Sequence, residues 1–491
     1  MINRIGDNML FCEFIKRIDY LKIKGNAPTE ISGVSDVSYE VEKGSVFFVV
    51  KGNNTDGSLF IKDAVKKGCV AIICEEEVNI DLCQIIVKDV KVALSQGCRA
   101  FYKNPQEDLR IIGVVGTNGK TTVCHVLSKI FSRSGYQVGV MGTLGVFYGN
   151  NSVETNLTTL GSVKLYKTIY EMVNFGVNVL IMEVSAHAIE QKRVDGLFFD
   201  ALIFTNCTED HLDYFKDMHT YANVKKSLFN EKYCKYMIVN SDDNLGVKIL
   251  NENGKNVITY GIENPADVFA IDVVVTKNGV SFVVNVCDVI YELQSKLIGM
   301  CNVYNLLACC ACSALFGIKV HQIAHALSKI NPVEGRADLV CEYKGASIFI
   351  DYAHTPDGLK QTLTSMRNIC KNKLICVFGC GGNREKEKRR IMGEISGKIC
   401  DFTIITTDNP RFENQDKIIE DIEKGIILVS DRYLKITDRK IAIETALKTL
   451  SVGDVLVVAG KGAERYQEKD GVKTPFYDRD VILQIINENG G

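Results

Sequence analysis

The sequence has no marked excess of charge of either sign and no apolar run long enough to cross a bilayer. Its 58 Lys and Arg residues nearly balance 60 Asp and Glu residues, which gives a formal net charge of -2. This balance argues against a nucleic-acid or membrane surface as the main partner. The longest apolar segment, at 305–318, is shorter than the roughly 20 residues of a membrane-spanning helix. We therefore expect small-molecule substrates, no nucleic-acid partner and no membrane insertion.

Prolines are also scarce, with only seven in 491 residues, and two of the Asn-Pro pairs, at 104–105 and 331–332, fall where the character of the chain changes. Such dipeptides favour turns and boundaries. At about 150 residues per domain, a chain of this length is expected to form three domains. We predict domains at residues 1–107, 108–331 and 332–491.

The first 25 residues lack the uninterrupted apolar core of a signal peptide, because charged residues recur every few positions. The 18 cysteines lie mostly in apolar runs such as AIIC and KLICVFGC, which favours reduced, packed thiols over a disulfide framework. Cys309 and Cys312 form a C-x-x-C pair, but no second pair accompanies them. These features predict a cytoplasmic protein.

A glycine-bearing turn follows the apolar run at 111–115, and Lys-Thr-Thr then opens a helix-compatible segment. A strand, turn and helix in this order direct backbone N–H groups at one point, which favours an anion. Lys120 suits a terminal phosphate and Thr121 its metal ion. The general pattern has four residues between its first Gly and Gly-Lys, whereas Gly116 and Gly119 are separated by two, so a chance turn is the alternative. We predict an ATP site at Gly116, Thr117, Asn118, Gly119, Lys120, Thr121 and Thr122.

Apolar strand-type segments alternate with helical segments through most of the chain. The first part contains GSVFFVV, CVAIIC and QIIVKDV around a helix at 58–67. The second contains VNVLIMEVS, DALIFTN, KYMIVNSDD and an alternating patch at 267–297, and the third contains ASIFIDYAH, KLICVFGCGG, DFTIITTDNPR and DVLVVAGKG. This alternation implies parallel sheets covered on both faces. The predicted fold class is α/β, with a small N-terminal α/β domain, a central phosphate-loop ATPase domain with a parallel sheet, and a C-terminal Rossmann-like domain.

Two strands of the central part end in residues suited to a metal ion. Glu183 ends a buried strand, where a carboxylate is costly unless it holds a cation. The next strand is followed by Asp210, His211 and Asp213. Each alone would more often be structural, but a nucleotide site needs a carboxylate for its metal. Glu183 and His211 are therefore candidate magnesium ligands.

Nine segments, taken in order, resemble the Mur ligases of bacterial cell-wall synthesis. They span essentially the whole chain and are GTNGKTT, EVSAHAIEQKRV, TNCTEDHLDYF, IGMCNVYNLLA, NPVEGRADLV, IDYAHTPDGL, GCGGNREKEKRRIMG, TTDNPRFE and GKGAERYQ. The similarity is greatest to the members that add the third amino acid, either meso-diaminopimelate or L-lysine. The resemblance implies an ATP-dependent ligase of peptidoglycan synthesis that works through an acyl phosphate.

The resemblance also implies roles for individual residues. Lys120, Glu183, His211 and Lys225 would be catalytic. Two magnesium ions would be held by Thr121, Glu183, His211 and Lys225, the last as a carbamylated lysine, because carbamylation turns a cation into an acid that can support a metal. ATP would also contact Asn305, Arg336 and Asp351. The UDP-muramoyl-dipeptide would be bound by Ser38, Thr158, Thr159, Ser185, Gln191 and Arg193.

Arg411 indicates which third amino acid is used. Diaminopimelate carries a second amino-acid end that lysine lacks, so its selection calls for a guanidinium that can pair with the distal carboxylate. The resemblance places such an arginine in Asp-Asn-Pro-Arg. It implies that meso-diaminopimelate is bound by Arg384, Asp408, Asn409, Arg411, Gly460 and Glu464. The expected partners are then UDP-muramoyl-dipeptide, meso-diaminopimelate and ATP, with the chain a monomer.

Four segments depart from the family pattern, all in recognition of the acceptor or the amino acid. Val37-Ser38-Tyr39 replaces Asp-Ser-Arg, and Leu160, Ala186 and Ala463 replace Pro, Ser and His. One alternative is therefore a related ligase that joins an amino acid to another acid, as folylpolyglutamate synthetases do. Another is a non-catalytic ATP-binding regulator. A phosphate-loop transporter ATPase or GTPase would leave the motifs of the third domain without a use.

Overall fold

The computed structural model describes residues 8–52 and 56–488. The predicted outer domain limits at residues 1 and 491 lie outside these ranges. The chain divides into two compact units. The first comprises the described residues up to Gly116, with Phe131–Ile203 and Val224–Met237, and the second comprises Thr117–Ile130, Phe204–Asn223 and the described residues from Ile238 onward. The predicted limits between three domains remain a prediction.

The N-terminal part of the first unit is a small α/β structure, in which a 3-10 turn at Gly57–Phe60 leads into the second helix. Its elements are β1 (Met9–Leu10), α1 (Phe11–Ile15), β2 (Tyr20–Lys24), β3 (Glu30–Ile31), β4 (Gly33–Ser35), β5 (Ser45–Phe48), α2 (Ile61–Lys66), β6 (Ala71–Cys74), β7 (Cys83–Val87) and α3 (Val90–Phe101). The sheet order is β2-β7-β6-β5-β4. Strands β4 to β7 are parallel neighbours, and β2 is antiparallel to β7. The three predicted strands and the helix near 58–67 are confirmed.

The central part alternates strands and helices, as predicted. Its elements are β8 (Arg110–Val115), α4 (Lys120–Arg133), β9 (Val138–Gly142), β10 (Gly145–Tyr148), β11 (Asn151–Val153), α5 (Ser162–Phe175), β12 (Val179–Val184), α6 (Ala186–Glu190), β13 (Phe199–Phe204), α7 (Leu212–Phe215), α8 (Met218–Lys226), β14 (Cys234–Asn240), α9 (Asn244–Glu252), β15 (Val257–Gly261), β16 (Val268–Thr276), β17 (Gly279–Val286), β18 (Val289–Ser295), α10 (Met300–Leu315) and α11 (Val320–Ser328).

In the first unit, β9, β12 and β8 are parallel neighbours, and β10 and β11 extend the sheet as antiparallel strands. The register pairs Glu183 with Val114. Because the carboxyl ends of parallel strands meet at one edge of a sheet, this register places Glu183 beside the end of β8, where the phosphate loop begins.

The alternating patch at 267–297 corrects the expectation of a purely parallel sheet. Within the second unit, β15 and β16 are parallel, but β16, β17 and β18 pair antiparallel. The reason is the length of the connections, since only two residues separate β17 from β18 and a parallel pair needs a long crossover. Cys287 and Asp288 in that turn both have positive φ, at 47° and 70°, as a two-residue hairpin turn requires.

The C-terminal part is a doubly wound sheet. Its elements are β19 (Asp338–Tyr343), β20 (Ala346–Asp351), α12 (Pro356–Ile369), β21 (Leu374–Phe378), α13 (Glu387–Ile399), β22 (Phe402–Ile405), α14 (Gln415–Ile426), β23 (Tyr433–Lys435), α15 (Arg439–Thr449), β24 (Val455–Ala459), β25 (Tyr466–Lys469), β26 (Val472–Pro475) and α16 (Asp478–Glu488). The order is β19-β20-β24-β21-β22-β23, and only β19 is antiparallel to its neighbour. Helices α12, α13 and α14 cover one face, and α15 and α16 cover the other.

A buried ion pair fixes the edge of this sheet at which its parallel strands end. Nε and Nη2 of Arg439 donate to the two carboxylate oxygens of Asp478, both at 2.8 Å, and neither side chain is exposed. The same guanidinium donates to the carbonyl oxygens of Thr407 and Ala459, at 3.4 and 3.0 Å. Since these carbonyls follow β22 and end β24, one arginine holds together two strand ends.

Across the described residues, no helix is both long and apolar enough to cross a membrane.

Candidate active site

The phosphate loop is held by residues that follow β13. The N–H groups of Thr117 and Asn118 donate to the backbone and side-chain oxygens of Asn206, each at 2.9 Å. The carbonyl of Asn118 accepts from the Thr205 hydroxyl at 2.7 Å. The Asn118 side chain donates to Asp357 at 2.9 Å, on the first turn of α12. The loop shape is therefore set by side chains distant in sequence.

Gly119 meets two separate requirements in this loop. Its φ of +86° is a conformation that L side chains rarely adopt. A Cβ atom at this position would also collide with the side-chain oxygen of Asn305, whose amide donates to Asn302 at 2.9 Å. Nζ of Lys120 donates to the Thr117 carbonyl at 2.9 Å, which keeps the ammonium over the loop. The structure thus places Asn305 against the loop that contains Gly119 and Lys120, and the binding of ATP by these residues stays a prediction.

Arg336 and Asp351, two residues predicted to contact ATP, are held by different kinds of contact. Nη2 of Arg336 donates to the Thr121 hydroxyl at 3.4 Å, and its guanidinium stacks 4.4 Å from the Tyr352 ring centroid. The Asp351 carboxylate accepts from the N–H groups of Ala337 and Ala353 and from one hydroxyl, at 2.6, 2.8 and 3.0 Å. Burial raises its pKa. Asp351 thus accepts three hydrogen bonds within the protein, and its contact with ATP stays a prediction.

The residues after β13 form a charged cluster in the second unit. Nε2 of His211 lies 3.3 Å from Asp210. Burial acts to raise the pKa of Asp210, but His211, His354 and Lys388 hold it below its usual value. Burial lowers the pKa of His354 to about 4, so its ring is neutral at pH 7 and donates from Nδ1 to the Tyr352 carbonyl at 2.9 Å.

In the first unit, Glu183 sits at the end of β12 with 2% exposure. Its carboxylate accepts from the N–H and the hydroxyl of Thr143, at 2.9 and 3.2 Å. The Thr143 hydroxyl is also 3.1 Å from that of Thr158. A Cβ on Gly142 would collide with the Glu183 carboxylate. The sequence did not reveal that Thr143 and Gly142 adjoin the Glu183 carboxylate, because neither stands in a motif with a chemical signature.

Four of the predicted acceptor-binding residues belong to one network. The Thr159 hydroxyl donates to the Glu183 carbonyl at 2.9 Å and accepts from the Ser185 N–H at 3.0 Å. Arg193 donates from Nη1 to the Thr159 carbonyl at 2.9 Å and from Nε to the side-chain oxygen of Gln191 at 3.0 Å. Among the described residues no hydrogen bond joins Ser38 to this network. The binding of the UDP-muramoyl-dipeptide by all of these residues stays a prediction.

Lys225 lies at the end of α8 and is buried, with 1% exposure, whereas the adjacent Lys226 is half-buried. A buried lysine is uncommon because desolvation of an ammonium is costly. Across residues 8–52 and 56–488, no group of three or more His, Cys, Asp or Glu side chains suited to a metal ion is found. The assignment of magnesium ligands to Thr121, Glu183, His211 and Lys225 stays a prediction.

The predicted diaminopimelate site lies at the carboxyl ends of β22 and β24. Nη1 of Arg411 donates to the Gly382 carbonyl at 2.6 Å. Its φ of +52° is unfavourable for a residue with a side chain, but the backbone is held, since its N–H donates to Glu468 at 3.0 Å and its carbonyl accepts from Asp470 at 2.6 Å. Arg384 is exposed and lies, like Arg411, against Gly381.

The other predicted residues of this site touch one another. Nδ2 of Asn409 donates to Glu464 at 2.8 Å. Gly460, with φ of +108°, would drive a Cβ into the Asp408 carboxylate. Two buried lysines at this edge, Lys388 and Lys461, were not predicted as site residues. Lys461 could have been, because it stands between two glycines directly after a strand.

Three family models match the chain in order. They are the Mur ligase family catalytic domain over residues 30–113, the Mur ligase middle domain over 114–313, and the Mur ligase glutamate ligase domain over 335–462. Together they cover most of the three parts of the fold described above.

Curated relatives match at full length. UDP-N-acetylmuramoyl-L-alanyl-D-glutamate--2,6-diaminopimelate ligase of Alkaliphilus oremlandii (strain OhILAs) is 41% identical, over 98% of this chain and 100% of its own length. The enzyme of the same name from Clostridium perfringens (strain 13 / Type A) is 39% identical, over 97% and 99%. A solved structure of a ligase with this name superposes with a TM-score of 0.71 at 29% identity, covering 99% of this chain and 100% of that chain. These matches confirm the predicted three-domain α/β fold, and the chain belongs to the Mur ligase family.

Proposed function

We propose that this chain is the ATP-dependent ligase that joins meso-diaminopimelate to the D-glutamate side-chain carboxylate of UDP-N-acetylmuramoyl-L-alanyl-D-glutamate in peptidoglycan synthesis. ADP and phosphate are the other products. The observation that carries the proposal is the set of Arg411, Asn409 and Glu464 at the ends of β22 and β24. This set offers a guanidinium and a carboxylate to the two charges of a distal amino-acid end. Full-length relatives that carry this activity in their names support it.

The reaction needs an activated acid, because a carboxylate itself does not react with an amine. The terminal phosphoryl group of ATP passes to the glutamate carboxylate and gives an acyl phosphate. The amine of diaminopimelate then attacks the acyl carbon, and phosphate leaves. The loop around Gly119 and Lys120 binds the ATP phosphates and neutralises charge on the transferring group. Arg411 and Glu464 orient the amine through the far end of the same molecule.

We assign two magnesium ions to Thr121, Glu183, His211 and carbamylated Lys225. Carboxylate and hydroxyl oxygens are the hard donors that magnesium accepts, and the burial of Glu183 and Lys225 fits groups whose charge is balanced by a cation. When bound, the ions shield the negative charge of the reacting phosphoryl group. We further propose that the chain acts in the cytoplasm as a monomer.

Carbamylation of Lys225 can be observed directly. We expect the wild-type protein in 13C-labelled bicarbonate to show a carbamate carbon resonance that the Lys225→Ala variant lacks, together with loss of most turnover in that variant. Lys226→Ala, on the same helix, is the matched control and should keep both. A carbamate signal that survives in Lys225→Ala would contradict the assignment.

The proposed function is tested by supplying ATP, magnesium and UDP-N-acetylmuramoyl-L-Ala-D-Glu with either meso-diaminopimelate or L-lysine. We expect phosphate release and a tripeptide product of the correct mass with diaminopimelate. With L-lysine, kcat/KM should be lower by roughly 10²-fold or more, because lysine lacks the distal carboxylate that Arg411 is proposed to bind.

The acceptor is tested by the same assay. No product with either amine, from a protein that still binds ATP, would contradict the proposal. It would indicate that the departures at Tyr39, Leu160, Ala186 and Ala463 select a different acid.

A further inference from the structure

Lys461 is a buried cation inside the predicted amino-acid site. It follows β24 directly, and its side chain has no exposed surface. A fully buried ammonium is rare in proteins unless it is paired and hydrogen-bonded. The hydrogen bonds of Lys461 therefore indicate its role in the site.

All three N–H donors of Lys461 are used within the protein. Nζ donates to the side-chain oxygen of Asn409 at 3.1 Å, to Oε2 of Glu464 at 3.1 Å and to the carbonyl of Tyr466 at 2.6 Å. Because an ammonium has only three donors, Lys461 has none left for a ligand. Its effect on a ligand must pass through Asn409 and Glu464.

These contacts fix the orientation of both neighbours. Oδ1 of Asn409 accepts from Lys461 and from the Glu468 N–H at 2.9 Å, so its Nδ2 faces Glu464, to which it donates at 2.8 Å. Oε2 of Glu464 thus accepts two hydrogen bonds. Within residues 8–52 and 56–488, Oε1 of Glu464 accepts none, and this oxygen is the one available to a ligand.

We infer that Lys461 is a positioning residue for amino-acid selection, which holds Glu464 as an oriented anion whose Oε1 receives the distal ammonium of diaminopimelate. This inference rests on the proposed function. It assigns a role to Lys461, a cation that contacts no substrate but determines, through Glu464, how the second amino-acid end of diaminopimelate is bound.

The electrostatics of the site agree with this role. Burial is the main factor that raises the pKa of Glu464, and Asp408 raises it further, whereas Lys461 is the main factor that lowers it. Among the described residues, Arg439 and Tyr352 also interact electrostatically with Glu464. Without Lys461, burial and Asp408 act on Glu464 with less opposition, so its pKa rises further. A larger fraction of Glu464 is then protonated at a given pH and cannot pair with an ammonium.

The test compares Lys461→Met with Lys473→Met, both in the full-length enzyme. Lys473 is an exposed lysine of β26, and its Nζ lies 4.1 Å from the Tyr466 ring centroid. Its replacement therefore removes a positive charge near Tyr466, the residue whose carbonyl accepts from Lys461. In Lys461→Met we expect KM for diaminopimelate at pH 7 to rise roughly 10- to 100-fold. The KM values for ATP and the acceptor should not change. The acid limb of kcat/KM for diaminopimelate should move to higher pH. Lys473→Met should behave like the wild type.

A double variant shows whether the effect passes through Glu464. Glu464→Gln should remove the acid limb, and adding Lys461→Met to it should cause no further pH shift. Lys461→Gln, which keeps donors but loses the charge, replaces Lys461→Met if that variant gives no folded protein by thermal unfolding.

Three results would overturn the inference. One is a wild-type pH profile in Lys461→Met, and another is an equal rise in all three KM values, which would indicate a general structural role. In both cases the proposed function stands if the wild type uses diaminopimelate. A wild type that forms no product with diaminopimelate would overturn the proposed function and this inference with it.

Discussion

Replacing Lys120 by alanine is expected to abolish turnover. Lys120 is the first residue of α4 and its ammonium lies over the phosphate loop, 2.9 Å from the Thr117 carbonyl. During transfer, negative charge is spread over the terminal phosphoryl group, and a preorganised cation is most effective there. We expect kcat to fall roughly 10³-fold or more. Phosphate release under saturating substrates measures this directly.

Lys129→Ala is the matched control for that experiment. It removes an exposed lysine from the same helix and should leave kcat unchanged. Thermal unfolding of both variants separates loss of catalysis from loss of fold. Full turnover in Lys120→Ala would remove the phosphate-loop assignment, because no other loop residue carries a positive charge.

Replacing Arg411 by alanine is expected to cripple the use of diaminopimelate and to spare ATP binding. The guanidinium is the group suited to the distal carboxylate, and its loss leaves that carboxylate without a charged partner. We expect kcat/KM for diaminopimelate to fall roughly 10²- to 10³-fold. The KM for ATP should stay at the wild-type value.

The substitution is well suited to the question because alanine keeps a Cβ. The Arg411 backbone has φ of +52°, which is unfavourable for any residue with a Cβ, so we expect the change to remove the guanidinium without relieving the backbone strain. Arg432→Ala, which removes an exposed arginine of the same unit, is the control. If Arg411→Ala used diaminopimelate as well as the wild type does, the choice of third amino acid would have to lie elsewhere.

The strands and the phosphate loop could be predicted because their signals are local. A short apolar run between turns, such as VNVLIMEVS, is typical of a buried central strand, and Gly-Thr-Asn-Gly-Lys after the run at 111–115 is typical of a phosphate loop. The predicted strand and the observed β12 differ by no more than two residues at either end. Family membership could also be read, since nine ordered segments carry it together.

The antiparallel pairing of β16, β17 and β18 could not be read as reliably. Their apolar pattern is that of strands of either kind, and the direction is decided by two-residue turns. Similarly, the burial of Lys225 depends on where α8 packs. Taken from the sequence alone, a Lys-Lys pair is typical of an exposed helix end.

By itself, the sequence indicated the fold class and the phosphate loop, because apolar periodicity and glycine turns act over a few neighbouring positions. The candidate residues for the acceptor and the amino acid came from the resemblance of nine ordered segments to the Mur ligases. Only the tertiary structure decided which side chains hold others in position through hydrogen bonds. Lys461 meets Asn409 across 52 residues, and Arg439 meets Asp478 across 39. Such pairs form where separate strand ends converge at one edge of a sheet. A polar group buried there needs a hydrogen-bonding partner, and that partner is distant in sequence, so a local sequence pattern does not predict it.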